Sequence, residues 1–383
     1  MSWEKVKLGD VTDSCLGKML DQIKNKGEYQ PYLANVDVRW GSFNLENLSL
    51  MRFEASEQER YGLKYGDLVI CEGGEPGRCA IWKDQIPGMK IQKALHRVRV
   101  HDCLDYRYLY YWFLLAGKTG ELEQYFTGAT IKHMPGEKLK SVIITKPPIE
   151  VQQKIADILW VYDDLIENNQ KQIKLLEEAA QRLYKEWFVD LRFPGHETTP
   201  IVDGIPEGWE RKSIDDVFSI QYGKMLPTNL LFPDGEFPVY GANGIIGYYG
   251  KANCLDYTTL ITSRGNGSGD VLRTHDKCSF VTNNSFVVQP KEPYSFCELP
   301  FVFHLMKTLD FKSICTGSAQ PQLTNKSISM LQIIIPTTEI VARFGEIANP
   351  LFAQEEQLYQ RIKIAAEARD RLLPKLMSGE IEV

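Results

Sequence analysis

Basic and amide side chains recur on glycine-rich stretches of this sequence, and their chemistry suits phosphate groups and base edges. Arginine and lysine bind phosphates and guanine O6/N7, asparagine and glutamine bind adenine N6/N7, and glycines let a loop approach its ligand closely. The candidate nucleic-acid-contacting residues of the first half are Arg78, Lys90, Lys93, Arg97, Arg99, Lys132 and His133. Those of the second half are Arg264, Asn266, Ser268, Arg273, Gln320 and Gln322. Singly, each is more typical of a solvated surface, so it is their recurrence in both halves that indicates binding.

Other chemistry has less support in the sequence. The segment 264–270 resembles a phosphate-binding loop but lacks the Gly-Lys-Ser/Thr ending. The sequence contains no Gly-x-Ser-x-Gly or His-Glu-x-x-His motif, no methyltransferase motif and no nuclease motif. Its eight cysteines form no Cys-x-x-Cys pair, and His275 with Cys278 would supply only two of the four ligands that a zinc site needs. We therefore expect reduced thiols, no metal and no catalytic residues.

The chain contains an internal repeat, which organises these residues. Segment 3–11 aligns with 209–217, and Gly-Lys-Met-Leu occurs at both 17–20 and 223–226. Later, Thr-Gly-Ala at 127–129 aligns with Thr-Gly-Ser at 316–318. The repeat predicts two similar halves, each a globular region of mixed strands and helices followed by a long helix.

Heptad spacing predicts the long helices. The first seam comprises Ile155, Leu159, Tyr162, Ile166, Asn169, Ile173, Leu176, Leu183 and Trp187. The second has a-type positions at Phe344, Leu351, Leu358 and Leu372, whereas Glu355 and Arg369 interrupt its apolar d-type positions. Pro350 should kink this helix, and Pro374 should kink or end it. We expect each seam to pack on the other helix; the alternative is a pair of ordinary amphipathic surface helices.

Composition limits the class of protein. The chain has 383 residues, of which 43% are apolar and 25% charged, and its formal net charge is −6. The excess acid falls in the two predicted helices, which leaves both globular regions neutral to slightly basic. The sequence has no apolar run of membrane-spanning length and no signal-peptide pattern, so a cytoplasmic protein without a membrane contact is expected.

Several segments together resemble the specificity subunit of type I restriction-modification systems. These segments are residues 147–159 (PPIEVQQKIADIL), 183–195 (LYKEWFVDLRFPG), 205–210 (IPEGWE) and 372–381 (LLPKLMSGEI). The resemblance implies an α+β fold in which two tandem target-recognition domains of similar fold are separated by two long antiparallel coiled-coil helices. The corresponding boundaries are 1–146 for the first domain, 147–190 for the first helix, 191–208 for a linker, 209–335 for the second domain and 336–383 for the second helix with a C-terminal tail.

The same resemblance implies a function. Each domain would read one half of a bipartite, gapped sequence in double-stranded DNA, and the helices would set the gap and dock the partners. Two methyltransferase subunits would supply adenine-N6 methylation, and restriction subunits, an ATP-dependent translocase and nuclease, would add cleavage. S-adenosylmethionine and ATP are expected on those partners, with no cofactor in this non-catalytic chain. Two alternatives stay open: a protein-protein scaffold with two equivalent partner sites, and an enzyme whose motifs are not evident.

Overall fold

The structure is a computed structural model that describes residues 3–21, 25–317 and 320–383. It divides into two compact units, one formed by residues 1–166 with 364–383 and the other by residues 167–363. Each unit therefore combines one globular region with a segment of both long helices.

The first globular region is a mixture of short strands and helices. Its strands are β1 (Glu4–Lys7), β2 (Thr12–Leu16), β3 (Glu28–Leu33), β4 (Val38–Arg39), β5 (Ser42–Phe43), β6 (Leu50–Phe53), β7 (Leu68–Cys71), β8 (Cys79–Ile81), β9 (Lys90–Ile91), β10 (Leu95–Val100) and β11 (Ile143–Lys146). Its helices are α1 (Gln58–Tyr61), α2 (Tyr106–Thr119) and α3 (Gly136–Lys140), and the long helix α4 (Ile149–Tyr184) follows.

The second globular region is built of a similar series of short strands and helices. Its strands are β12 (Ile201–Val202), β13 (Ile205–Pro206), β14 (Glu210–Ser213), β15 (Phe218–Tyr222), β16 (Phe237–Gly241), β17 (Gly244–Tyr249), β18 (Thr259–Thr262), β19 (Val271–Arg273), β20 (Phe280–Val281), β21 (Ser285–Pro290) and β22 (Gln332–Ile335). Its helices are α5 (Ile214–Val217), α6 (Leu299–Thr308) and α7 (Asn325–Ile328), and the long helix α8 (Thr338–Ser378) follows.

The larger sheets have the same strand order in the two regions, whereas the two-stranded sheets β4-β5 and β12-β13 each occur in one region. The first has an antiparallel sheet in the order β2-β10-β7-β8, and the second has one in the order β15-β21-β18-β19. A second sheet has the order β6-β3-β9 in one region and β17-β16-β20 in the other, each with one antiparallel and one parallel pairing. Strand pairs β1-β11 and β14-β22 also correspond. The predicted α+β fold with two similar domains is confirmed.

In the first unit, the core lies between the four-stranded sheet and helix α2. Val98 of the sheet and Tyr108 and Tyr111 of α2 are fully buried in one cluster. Ile155 of α4 and Leu373 of α8 belong to the same cluster, so both long helices help to cover this core. Burial of large side chains of this kind stabilises by roughly 1.5–3 kcal/mol each.

The core of the second unit is built in the same way. Phe218 and Phe286 of the sheet are fully buried with Phe301 of α6. Trp187, just beyond the end of α4, and Phe344 of α8 join this cluster, and their ring centroids lie 6.0 Å apart. Aromatic contacts thus attach the ends of the two long helices to the second globular region.

The two helices run antiparallel within each unit. In the first unit, Asp163 of α4 pairs with Arg369 of α8 at 2.5 Å, and the hydroxyl of Tyr111 donates to the same Asp163 carboxylate. In the second unit, Ala180 of α4 clusters with Phe352 of α8. The charged d-type position Arg369 therefore holds an interhelical ion pair instead of an apolar contact.

All predicted seam positions face inward to some degree. The buried seam residues are Ile155, Leu159, Asn169, Ile173, Trp187, Phe344 and Leu358. The half-buried ones are Tyr162, Ile166, Leu176, Leu183, Leu351 and Leu372.

Pro374 was predicted to kink or end α8, and the second of these outcomes is wrong, because the helix continues to Ser378. It also runs through Pro350. Both prolines are exposed, while their neighbours are buried: Phe352 packs in the second unit and Leu373 in the first. Tertiary packing therefore outweighs the loss of one backbone hydrogen bond at each proline.

No helix of the described chain is both long enough and apolar enough to cross a membrane.

Candidate nucleic-acid interface

Two loops of the first region meet at one end of its four-stranded sheet. We name them the glycine loop, residues 72–77 after β7, and the hairpin loop, residues 127–133. Thr127 and His133 close the hairpin loop, since each backbone N–H donates to the other residue's carbonyl, at 2.7 and 2.9 Å. Gly73 pairs with His133, and the N–H of Met134 donates to the carbonyl of Glu72 at 2.7 Å. These backbone bonds hold the exposed hairpin loop beside the glycine loop.

The second region has the same two loops, the glycine loop at 263–269 and the hairpin loop at 316–322. Thr316 and Gln322 exchange backbone hydrogen bonds of 2.9 and 2.8 Å, and Arg264 pairs with Gln322. The N–H of Leu323 donates to the carbonyl of Ser263 at 2.9 Å. The predicted Thr-Gly-Ser match falls partly on Ser318, which lies outside the described residues.

A third segment, the tight turn at residues 92–94 in the first region and 282–284 in the second, contacts each glycine loop. In the first region the N–H of Glu72 donates to the carbonyl of Ala94 at 2.9 Å, which places the exposed Lys93 next to the glycine loop. In the second region the N–H of Ser263 donates to the carbonyl of Asn284 at 2.8 Å. Three loops therefore converge at equivalent places in the two regions.

The candidate residues differ widely in accessibility. The exposed ones are Lys93, Lys132, His133, Arg264, Asn266 and Gln320. The half-buried ones are Arg78, Arg99 and Gln322. The buried ones are Lys90, Arg97, Ser268 and Arg273.

The four buried residues bond within their own unit. Lys90 donates through Nζ to the carbonyl of Gly88 at 2.7 Å, and burial lowers the pKa of this lysine. Arg97 donates to the carbonyls of residues 59 and 60, and Ser268 to the carbonyl of residue 263. Arg273 contacts carboxylates of α8. The expectation of a surface position is wrong for these four residues, because their polar atoms donate hydrogen bonds to acceptors inside the protein or pair with carboxylates there. The proposed interface therefore omits them.

Two half-buried arginines pair with carboxylates, Arg99 with the buried Asp67 and Arg78 with the exposed Glu75. Arg99 donates from Nε and Nη2 to both carboxylate oxygens of Asp67, each at 2.7 Å, and this pairing raises the arginine pKa. Arg78 donates to Glu75 at 3.0 Å and to Asn35 at 3.0 Å. Such paired charges attract phosphate less than an exposed cation without a carboxylate partner among the described residues, such as Arg264.

Asn35 and Asn243 are interface candidates that were not identified from the sequence. Each follows the central strand of a three-stranded sheet, within a Tyr-x-Ala-Asn segment at 32–35 and 240–243. Asn35 donates through Nδ2 to the carbonyl of Gly73 at 2.8 Å. Asn243 lies against the other glycine loop, where a Cβ built on Gly267 would be 2.8 Å from its Oδ1. The repeated segment was the signal that would have revealed them.

Within the described residues, no three histidine, cysteine, aspartate or glutamate side chains are close enough together to hold a metal ion. The loops instead combine cationic, amide and imidazole groups with backbone held at equivalent positions. This chemistry suits hydrogen bonding to phosphates and base edges.

Comparison with known proteins gives consistent matches along the chain. The sequence profile described as "Type I restriction modification DNA specificity domain" matches residues 1–178 and again residues 206–366. The type I restriction enzyme MjaIX specificity subunit of Methanocaldococcus jannaschii is 29% identical over 349 residues, which cover 83% of this chain and 78% of that protein. The HindI specificity subunit of Haemophilus influenzae is 22% identical, with 99% of both proteins covered.

A solved structure shares the fold. The S subunit of a type I restriction-modification system from M. genitalium superposes with a TM-score of 0.56 at 20% identity, covering 98% of this chain and 96% of that one.

Proposed function

The chain belongs to the type I restriction-modification DNA specificity family, and from this premise we propose that each globular region reads one half of a bipartite, gapped duplex DNA target. We call them the first reader (3–146) and the second reader (209–335). The observation that carries the proposal is a set of three loops in each reader. The loops lie at equivalent places on two sheets of the same strand order, but their side chains differ. Two similar surfaces of different chemistry suit two half-sites of different sequence.

The long helices support a second part of this proposal, that they set the gap and dock the partners. Helix α4 has 36 residues, so it is about 54 Å long at 1.5 Å per residue. Each unit contains a segment of both helices, so the helices connect the two readers. Helix length would therefore determine the separation of the half-sites. Val161 and Leu165 of α4 are 65% and 44% exposed, and we place the contact with a methyltransferase subunit on this apolar face.

We also propose that the chain itself is non-catalytic. Two methyltransferase subunits would bind S-adenosylmethionine and methylate adenine N6, and restriction subunits would use ATP and cleave. The family supports this assignment, as does the lack of a catalytic motif in the sequence. A complex of this kind would act in the cytoplasm, where its DNA lies.

DNA binding by the complex of this chain with its methyltransferase subunits is the direct test. Adenine methylation would first be mapped across the genome in cells with and without the chain, which returns the bipartite target. Affinity for that duplex and for a scrambled duplex would then be measured at 50 and 200 mM salt. We expect preference for the target and a fall in affinity of about 10³-fold or more between these salts, because bound lysines and arginines displace counterions.

The scaffold alternative makes the opposite prediction. A scaffold would bind two copies of its partner with no methylated target and no salt-dependent affinity for duplex DNA.

A further inference from the structure

Gly73 with His133 in the first reader, and Arg264 with Gln322 in the second, occupy equivalent positions. Each pair forms a backbone bridge between a glycine loop and a hairpin loop. The hydrogen bonds that close the hairpin loops, and those that Met134 and Leu323 donate, flank both bridges. In the second reader the N–H of Gly265 also donates to the carbonyl of Pro321 at 3.1 Å. The side chains of the two readers therefore leave the backbone at the same two points.

The two members of a pair are sterically coupled. A Cβ built on Gly73 would lie 2.8 Å from Nδ1 of His133, closer than real Cβ contacts, so a larger residue at 73 requires the imidazole to move. Gly73 does not have a positive φ, so its backbone conformation does not require glycine. The space taken by the His133 imidazole explains why this position has no side chain. The second reader has a large residue, Arg264, opposite a flexible one, Gln322. The two readers therefore differ in both members of the pair, with a glycine beside an imidazole in the first and an arginine beside a flexible amide in the second.

These side chains are also accessible and chemically selective. His133 and Arg264 are exposed and Gln322 is half-buried. Within the described part of the chain no carboxylate pairs with Arg264. In the first reader, Lys132, which precedes His133, lies 3.5 Å from Glu123. Arginine binds guanine O6/N7 with two hydrogen bonds, and glutamine binds adenine N6/N7 in the same way. An imidazole offers one donor and one acceptor, or two donors when it is protonated.

We propose that residues 73 and 133 of the first reader, and 264 and 322 of the second, are equivalent specificity pairs that select the base at a corresponding position of each half-site. Left-handed glycines occur at equivalent places in both readers, at 74 and 265 and at 128 and 317. The second glycine loop (263–269) is one residue longer than the first (72–77), so the backbone is equivalent at the pairs themselves but not along the whole loop. This inference rests on the proposed DNA-reading function and names the residues that differentiate the two half-sites.

The experiment exchanges the pairs in the full chain, co-expressed with its methyltransferase subunits, and maps adenine methylation. Gly73→Arg with His133→Gln is expected to change one half-site at the corresponding position, shifting the preference between the old and new base by about 10-fold or more. Arg264→Gly with Gln322→His should change only the other half-site. The gap should stay constant in both variants.

Single variants and a matched surface change serve as controls. Gly73→Arg alone should lower the yield of folded complex because it clashes with His133, and His133→Gln should relieve the clash. Lys138→Gln, at an exposed site on α3, should leave both half-sites unchanged. If the double exchange does not fold, His133→Gln and Gln322→His alone, which add no Cβ, should each lower discrimination at one position.

Unchanged half-sites in all folded variants, or changes in both half-sites at once, would overturn the inference while leaving the proposed function intact. A wild-type complex that methylates no bipartite target would overturn the proposed function, and the inference with it.

Discussion

Arg273, the last residue of β19, forms a buried ion pair with Glu355 of α8, and the distance from Nη2 to Oε1 is 2.6 Å. Glu356 contacts the same guanidinium, whose carbon lies 4.5 Å from the ring centroid of Phe352. Glu355 occupies a d-type position where the heptad would place an apolar residue. The exception exists because a strand of the second globular region directs a cation at this position, so the ion pair fixes that region on its helix.

Removal of one partner of this ion pair should strongly destabilise the second unit. Arg273→Met leaves two carboxylates without their cation in the protein interior, for which the expected loss is about 3–5 kcal/mol in the free energy of unfolding. Arg273→Met with Glu355→Leu should lose less, because one of the stranded charges is also removed. Urea unfolding of the purified chain, followed by circular dichroism, measures both variants.

Arg182 and Glu178 of α4 provide the matched control. Their ion pair is 3.4 Å long, and the side chain of Arg182 is 81% exposed. Arg182→Ala should change stability by about 0.5 kcal/mol or less. Equal losses for Arg273→Met and Arg182→Ala would contradict the structural role of the buried pair.

His304 of α6 should make the second unit sensitive to acid. Its ring packs against Tyr184 and Phe352, and its Nε2 has no hydrogen-bond partner among the described residues. Burial lowers its pKa to about 3, and the charges of Lys307 and Arg273 act in the same direction. The unfolded chain takes up this proton near pH 6.5 and the folded chain does not until about pH 3.

The neutral imidazole therefore causes no loss of stability above about pH 6.5. As the pH falls from 6.5 toward 3, the free energy of unfolding decreases, by about 2 kcal/mol between pH 7 and 5. His304→Leu should remove this part of the pH dependence in urea unfolding, whereas substitution of the exposed His101 with Gln should retain it. If the free energy of unfolding of His304→Leu varied with pH as steeply as that of the wild type, the imidazole would have to be hydrated in solution.

A deletion of seven residues in each long helix should shorten the gap without changing the bases read. Asp163 pairs with Arg369 and Ala180 clusters with Phe352, so residues 357–363 lie opposite residues 169–175. Removing both segments keeps the heptad register and shortens the helix pair by about 10 Å, or about three base pairs. Genome-wide methylation mapping should return both half-sites with the shorter gap.

The matched variant for this prediction removes four residues from each helix, which breaks the heptad and should reduce folding and methylation together. Altered half-sites with an unchanged gap in the seven-residue variant would instead assign the helices to base recognition.

The purified chain alone should transfer no methyl group from S-adenosylmethionine to its target duplex. Transfer should appear when methyltransferase subunits are added, because the catalytic motifs are expected there. Incorporation of radioactive methyl groups into the duplex measures this. Turnover by the pure chain that persists through a further purification step would assign catalysis to it.

Part of this protein could be predicted from its sequence. The heptad from Ile155 to Trp187 identified the long helix, and the repeated segments beginning at Trp3 and Trp209 identified two similar globular regions. These are local or periodic properties, because a helix face is defined by residues three and four apart and a repeat by its own two copies. The glycine-rich and Thr-Gly segments also identified loops that the structure brings together.

Which basic side chains reach the surface was decided only by the tertiary structure. Arg97 and Arg264 are both arginines in loop-rich surroundings, yet Arg97 lies in the central strand β10 and donates to carbonyls 37 and 38 residues away, while Arg264 stays exposed. Glu355 breaks a heptad because its cation comes from residue 273. Such partners are distant in the chain, and the desolvation of a charge depends on everything that packs around it, so no local pattern encodes these outcomes.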